Sequence, residues 1–207
     1  MKAKEHYGFN EQYKIHQCCS NRKAEIEMRP FVGYCVFIDG YVYATDTHIL
    51  VRAALTKISN LSQEDIDKLQ NKAISGDLFR KMLSYDIKAI TDTTIECVGE
   101  QKETVLFGLV NILRGYKNAS IKPPHENEIY IPGLDEFFTK NYSTDGYPCD
   151  KIGFNVKHLG RIVSAMGGAE KVGLFFSEKK ESGAISIKGL YDDYNPVQGI
   201  LMPCLID

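Results

Sequence analysis

The chain has 207 residues, of which 43% are hydrophobic and 25% charged, and its formal net charge is -2. This composition is typical of one large or two modest globular domains and excludes a disordered chain. No run approaches the ~20 apolar residues that a membrane-spanning helix needs. Residues 1–14 lack the apolar core of a signal peptide, so a cytoplasmic protein is expected. The slightly acidic balance means that any binding to nucleic acid would depend on a local basic patch.

The cysteine spacing argues against a zinc ribbon or a disulfide scaffold. No Cys-x-x-Cys pair is present, and only Cys18 and Cys19 are adjacent. The sequence also lacks a P-loop, a dinucleotide-binding glycine motif, a nucleophile elbow and a His-Glu-x-x-His motif, so no cofactor or metal is expected. Reduced thiols are the expectation for all six cysteines: Cys18, Cys19, Cys35, Cys97, Cys149 and Cys204.

One structural unit, a short amphipathic helix followed by strands, occurs three times without a fixed period. The first helix is predicted to begin at the N-cap Asn10 and to run through Asn21. The second and third begin at the N-caps Ser75 and Asn155, and Gly167–Gly168 end the third.

Each helix has an apolar stripe at helical spacing, as at Ile15, Cys18 and Cys19 of the first. The faces opposite these stripes are expected to point away from the sheets. They carry the cations Lys14, Arg80, Lys81, Lys157 and Arg161.

Strands follow each helix. Residues 31–38 and 41–53 are predicted as two strands joined by Asp39–Gly40, the type of dipeptide that most strongly indicates a two-residue hairpin. The fold class expected from this order is α+β, with helices lying on antiparallel sheets. The remaining strand candidates are residues 89–98, 103–113, 171–178, 183–191 and 197–206.

Pro123–Pro124 and the polar residues after them predict a domain boundary. The boundary divides the chain into residues 1–123 and 124–207. A short helix around residues 133–141 is also predicted, without a place in the repeated unit.

Asp46 and His48 lie one residue apart in a β-prone run. On a strand their side chains would share one face, so a metal-dependent hydrolase that uses both, with His16, His125 or His158, is one hypothesis. No third and fourth ligands stand at a recognisable spacing, which weighs against it.

Two stretches resemble the bacterial DNA polymerase III beta subunit (sliding clamp) family. Residues 44–50, Ala-Thr-Asp-Thr-His-Ile-Leu, resemble a strand of the clamp's middle domain that reads Ala-Thr-Asp-Gly-His-Arg-Leu. Residues 153–168, 172–178 and 199–207 resemble the clamp's closing helix, strands and terminal Met-Pro segment, and residues 114–124 resemble the linker that ends the middle domain. The resemblance covers residues 8–123 and 152–207 and leaves 124–151 unexplained.

The resemblance implies a DNA-clamp-like fold of repeated helix-plus-antiparallel-sheet units, with helices lining the inner face of a ring. It also implies a noncatalytic replication or repair accessory protein, not an enzyme. Such a protein encircles duplex DNA and tethers polymerases or repair factors by their linear peptide motifs. No membrane partner is implied.

Two sets of site residues follow from the resemblance. The five helix cations would face DNA phosphates in sequence-independent contacts. Asp46 would form hydrogen bonds at a turn or strand end. The cleft for a partner's peptide would be lined by Thr45, Thr47, His48, Leu50, Pro123, Ile200, Leu201, Met202, Pro203 and Cys204.

The sequence departs from the family where the cleft is expected. Thr47 replaces a glycine, Ile49 an arginine and Cys204 the last methionine. The chain also contains about three units where a family subunit has six, so two copies would not close the usual ring, whereas a homo-oligomer of four copies would supply the units. A protein-interaction or regulatory module that has the clamp fold but does not encircle DNA is therefore the alternative.

Overall fold

The computed structural model describes residues 6–114, 125, 127–139, 142–143, 153–177, 183–190 and 195–203. The helices in this part of the chain are α1 (Lys23–Met28), α2 (Leu55–Ile58), α3 (Gln63–Leu69), α4 (Gly76–Met82) and α5 (Val156–Ala165). Short 3₁₀ helices cover Ile15–Cys18, Pro30–Gly33 and Asp135–Phe137. No helix among the described residues has the length and apolarity to cross a membrane.

Most of the strands belong to one large sheet. The strands are β1 (Tyr34–Ile38), β2 (Tyr41–Thr45), β3 (Ile49–Ala54), β4 (Lys72–Ser75), β5 (Asp86–Ile90), β6 (Thr94–Val98), β7 (Thr104–Gly108), β8 (Val110–Arg114), β9 (Glu128–Ile131), β10 (Tyr142–Ser143), β11 (Val172–Ser177), β12 (Ile185–Gly189) and β13 (Val197–Leu201). Ten of them pair in the order β10-β11-β12-β13-β3-β2-β1-β4-β8-β9, and β5-β6-β7 form a separate sheet. The pairs are antiparallel except β8 and β9, which are parallel.

Both faces of the ten-stranded sheet are covered. Along β1, Cys35 and Phe37 belong to one buried cluster, whereas Val36 and Ile38 belong to another, as the alternation of side chains along a strand requires. The first cluster includes apolar residues of the Ile15–Cys18 3₁₀ helix, α4 and α5. These three elements therefore form a layer on one face of the sheet, and the fold class is α+β, with helices lying on antiparallel sheets.

Local signals in the sequence predicted several elements correctly. β1 and β2 pair through a two-residue turn at Asp39–Gly40, and both turn residues have the positive φ of a type I′ turn, 50° and 80°. The Ser75 hydroxyl accepts a hydrogen bond from Leu78 N at the start of α4. The Asn155 side chain accepts one from Lys157 N at the start of α5.

The helix predicted from Asn10 to Asn21 is wrong in its extent, because only Ile15–Cys18 is helical and it is a 3₁₀ turn. The Asn10 side chain accepts a hydrogen bond from Gln12 N, and this local bond competes with helix initiation. After Cys19 the chain is extended, and Ser20 N bonds Val32 O. The predicted stripe is nevertheless buried.

Four strand predictions are also wrong in detail. Residues 31–33 belong to the Pro30–Gly33 3₁₀ helix, and residues 89–98 divide into β5 and β6. Residues 41–53 form two strands, β2 and β3, since the chain reverses at residues 46–48. Residues 103–113 likewise divide into β7 and β8, which belong to different sheets. In the divided runs, β-prone residues stand on both sides of the turn, so periodicity alone does not locate it.

Residues 124–151 contribute to the large sheet. β9 pairs with β8, and Leu134 is buried in the second cluster beside Phe137 and Phe138. The predicted short helix is the 3₁₀ turn Asp135–Phe137. The ten-stranded sheet contains strands from both sides of residue 123, and the division at that residue stays a prediction.

The described cysteines are free and buried at Cys18, Cys19, Cys35 and Cys97, while Cys149 and Cys204 lie outside the described residues. Burial raises the pKa of the Cys97 thiol to about 12, so this group stays protonated at neutral pH.

Candidate functional site

The turn between β2 and β3 is held by its own side chains. One Asp46 oxygen, Oδ1, accepts hydrogen bonds from His48 N at 2.9 Å and Ile49 N at 3.0 Å. The Thr45 hydroxyl donates to Ile49 O at 2.6 Å and accepts from Thr47 N at 3.1 Å. Thr47 has a φ of 78°, which a β-branched residue rarely adopts, and these bonds hold it there. The expectation that Asp46 forms turn hydrogen bonds is confirmed.

Arg161 joins this turn to the helix layer. Its Nη1 donates to Asp46 Oδ2, while Nε donates to Gln17 O at 2.6 Å and Nη2 to Cys19 O at 3.0 Å. Asp46 is buried, with 5% of its surface exposed. One guanidinium therefore neutralises a buried carboxylate and also caps the end of the Ile15–Cys18 helix.

This placement differs from the prediction that Arg161 faces DNA. α5 packs against the Ile15–Cys18 helix, so the Arg161 guanidinium is engaged at that contact, and 29% of the side chain is exposed. Sequence reasoning missed the ion pair because Arg161 and Asp46 are 115 positions apart and no local pattern links them.

Two imidazoles lie beside Asp46. The ring of His48 stacks on that of His158, with centroids 5.2 Å apart and planes inclined by 25°. His158 Nδ1 lies 3.6 Å from Asp46 Oδ2. Burial lowers the pKa of His158 below its ordinary value; Asp46 opposes this shift, and Arg161, His48 and Arg22 reinforce it.

The premise of the metal hypothesis is wrong, because Asp46 and His48 lie in a turn and not along one strand face. The Asp46 carboxylate points inward with both oxygens engaged, whereas His48 is exposed. Over the described part of the chain, no group of three or more His, Cys, Asp or Glu side chains is arranged to hold a metal ion.

The structure brings the two predicted cleft segments together. Strand β13 pairs with β3, so that Ile200 stands opposite Leu50 and Leu201 opposite Ile49. Beyond the strand, Met202 N donates to His48 O at 2.9 Å. The segment that ends in Met-Pro therefore runs directly beside the 46–48 turn.

Only part of the predicted cleft is accessible. Leu50 and Ile200 are buried in the second cluster, Leu201 is buried in the first, and Thr45 is 7% exposed. Pro123 and Cys204 lie outside the described residues. The accessible residues, which we call the turn surface, are Thr47, His48, Met202 and Pro203.

Four of the five predicted DNA-facing cations are exposed on the helix layer. Lys14 and Arg80 lie close to His16, since both help to lower its pKa after the larger effect of burial. We call this set the helix-face cations: Lys14, Arg80, Lys81 and Lys157.

No protein-family model matches the chain, and no curated protein matches it. Among solved structures, the DNA polymerase III beta subunit of Thermotoga maritima is similar with a TM-score of 0.50 at 11% identity, over 95% of this chain and 62% of that one. The DNA polymerase sliding clamp of Bacillus subtilis is similar with a TM-score of 0.53 at 15% identity, over 100% of this chain and 66% of that one. The chain thus spans less than two thirds of the length of these clamps, and its fold is the fold of the bacterial sliding clamp.

Proposed function

We propose that the protein is a noncatalytic, sliding-clamp-like accessory protein of DNA replication or repair, which tethers partner proteins by their linear peptide motifs. The observation that carries this proposal is the pairing of β13 with β3 within a clamp fold. That pairing sets Met202 and Pro203 beside the turn that bears His48. A methionine next to an exposed turn offers an adaptable apolar contact for an extended peptide.

The proposed DNA contact uses the helix layer. The helix-face cations are solvent-exposed on three elements that cover the same side of the sheet. Lysine and arginine side chains that meet phosphates give affinity without sequence preference. A net charge of -2 is compatible with this role when the cations are concentrated on one face.

The DNA contact is tested by replacing all four helix-face cations with glutamine. We expect this variant to bind every duplex more weakly, and to a similar extent whatever the sequence of the duplex. We also expect the slope of log affinity against log salt to fall by about one for each side chain that no longer meets a phosphate. The readout is a fluorescence titration at several salt concentrations.

The matched control replaces four exposed cations on other surfaces with glutamine. These are Lys23, Arg29, Lys88 and Lys102. Both variants lose four positive charges, so the formal net charge becomes -2 - 4 = -6 in each. An equal decrease of affinity and slope in the two variants would mean that the helix layer is not the DNA surface.

The alternative is a clamp-fold interaction module that does not encircle DNA. The same titration separates the two when it includes closed circular and linear duplex. A ring stays on closed circles at salt concentrations that release it from linear duplex, whereas an open module leaves both at the same concentration.

A further inference from the structure

A segment of the chain crosses one face of the large sheet. Strands β9 and β10 form the two opposite edges of this sheet, so the residues that join them run from one edge to the other. The structure describes residues 132–139 of this connection, which we call the strap. Leu134 is buried in the second cluster, and Phe137 and Phe138 pack against that cluster. The strap therefore covers the face of the sheet opposite the helix layer.

The strap rests on the strands that carry the predicted cleft. The Phe138 ring meets the Tyr43 ring edge to face, with centroids 6.1 Å apart. Cζ of Arg52 lies 4.4 Å from the centroid of the Phe138 ring. Asp135 is close to Tyr43 as well, since it helps to raise the pKa of Tyr43 after the larger effect of burial. Phe138 therefore lies across β2 and β3.

Two of the predicted cleft residues lie in the next row of the same face. Side chains alternate along β3, so Leu50 shares a face with Arg52, about 7 Å away along the strand. Leu50 stands opposite Ile200 of β13. Arg52 stands opposite Gln198, and its Nε donates a hydrogen bond to the Gln198 side chain at 3.0 Å. Leu134 of the strap belongs to the same buried cluster as Leu50 and Ile200, so the strap closes this part of the cleft.

The strap has a local turn of its own and is held to β2 and β3 by side chains. Phe138 N donates to Asp135 O at 2.9 Å. The Thr139 hydroxyl donates to Glu136 O at 3.1 Å. The contacts of Phe138 with the two strands are those of a ring with a ring and of a ring with a guanidinium. Such contacts are individually weak and require no strand ladder, so a peptide with similar side chains can replace them.

We propose that the strap occupies, within the chain, the apolar part of the cleft where a partner's peptide binds, so that this part is closed until the strap is displaced. The inference rests on the proposed peptide-tethering function and adds its regulation. The turn surface is the part that the strap leaves open, and a peptide bound there reaches Leu50 and Ile200 only after the strap has moved away. A segment tethered beside its site acts at an effective concentration on the order of millimolar, so it lowers the apparent affinity of a competing peptide.

The test uses the sequence of the strap as a probe. A labelled synthetic peptide of residues 132–139, Pro-Gly-Leu-Asp-Glu-Phe-Phe-Thr, is titrated with the full chain and with the variant Phe138→Ala, and fluorescence anisotropy measures binding. Phe138 is partly buried, so the variant should fold with a more loosely held strap. We expect the variant to bind the peptide about tenfold more tightly than the unaltered chain, because the fraction of open cleft rises by that factor. A peptide with serine in place of its leucine and both phenylalanines should bind neither protein.

The matched control is Tyr85→Ala. It removes another partly buried ring, one that meets Phe107 edge to face at a distance of 5.7 Å between centroids, beside the three-stranded sheet. An equal gain of affinity in this control would assign the gain to general loosening of the fold and overturn the inference.

A double variant locates the bound peptide. Arg52→Gln added to Phe138→Ala should weaken peptide binding by about threefold, because the guanidinium no longer meets a phenylalanine ring of the peptide. Unchanged binding in the double variant would overturn the assignment of the peptide to this face of the sheet.

The same titration includes labelled synthetic hexapeptides with two apolar residues, which probe the tether itself. Equal binding of these hexapeptides by the unaltered chain and by Phe138→Ala would overturn the role of the strap and leave the tether intact. If neither protein binds any of the peptides, both the strap and the tether are overturned.

Discussion

Replacing Arg161 with methionine is expected to lower the free energy of unfolding by about 3–5 kcal/mol, the usual cost of removing one partner of a buried ion pair. The variant leaves the Asp46 carboxylate buried without its counter-ion and frees the carbonyl oxygens of Gln17 and Cys19. Urea denaturation followed by circular dichroism measures the change. Methionine keeps the aliphatic volume of the side chain, so the decrease reports charge and hydrogen bonding.

Two comparisons isolate the ion pair. Lys157→Met removes an exposed cation from the same helix and should change stability by less than about 0.5 kcal/mol. Asp46→Asn combined with Arg161→Met should cost less than the sum of the single variants, because the buried charge is absent. A decrease below about 1 kcal/mol for Arg161→Met would show that Asp46 does not depend on this guanidinium.

Replacing Gly199 with alanine is expected to lower the free energy of unfolding by about 1–3 kcal/mol, because the added methyl overpacks the contact between α5 and β13. A Cβ at Gly199 would lie 2.4 Å from Cγ2 of Ile162, which is fully buried on α5. Gly108→Ala is the matched control in strand β7, where a Cβ meets nothing within 4 Å. There alanine should be neutral or stabilising, since it reduces the entropy of the unfolded chain.

A second substitution tests whether the Gly199→Ala variant is destabilised by a steric clash. Ile162→Ala removes the atom that the new Cβ would meet, so the double variant should be more stable than the sum of the two single changes predicts. If Gly199→Ala and Gly108→Ala were equally destabilising, the loss of stability would come from the strand backbone. That result would contradict a steric clash between β13 and α5.

Local chemistry explains which elements the sequence predicts. The Asp39–Gly40 turn, the Ser75 cap and the Asn155 cap each depend on residues a few positions apart, and the structure confirms all three. The resemblance at residues 44–50 and 199–207 also led to the correct fold, in which the pairing of β3 with β13 brings these two segments together. Strong local signals and a motif with a fixed order are therefore sufficient to predict the fold and the places where these elements begin.

The remaining features depend on tertiary contacts. The helix predicted after Asn10 shortens to one turn because the chain is extended at Cys19 and Ser20 N then donates a hydrogen bond to Val32 O. Leu50 and Ile200 are inaccessible because they share a buried cluster with Phe31 and Leu134, which are distant in sequence. No periodicity in the sequence indicates such covering segments, so the size of an accessible cleft is not predictable from the lining residues alone.

The measurement that tests the tethering claim most directly is retention of a labelled synthetic hexapeptide with two apolar residues on duplex-coated beads as the full chain is added. We expect the amount of retained peptide to rise in proportion to the amount of bound protein, and removal of the helix-face cations to lower both together. Peptide and duplex use different residues, so neither should displace the other. Release of the peptide by duplex, or protein bound to duplex without retained peptide, would contradict a protein that links DNA to its partners.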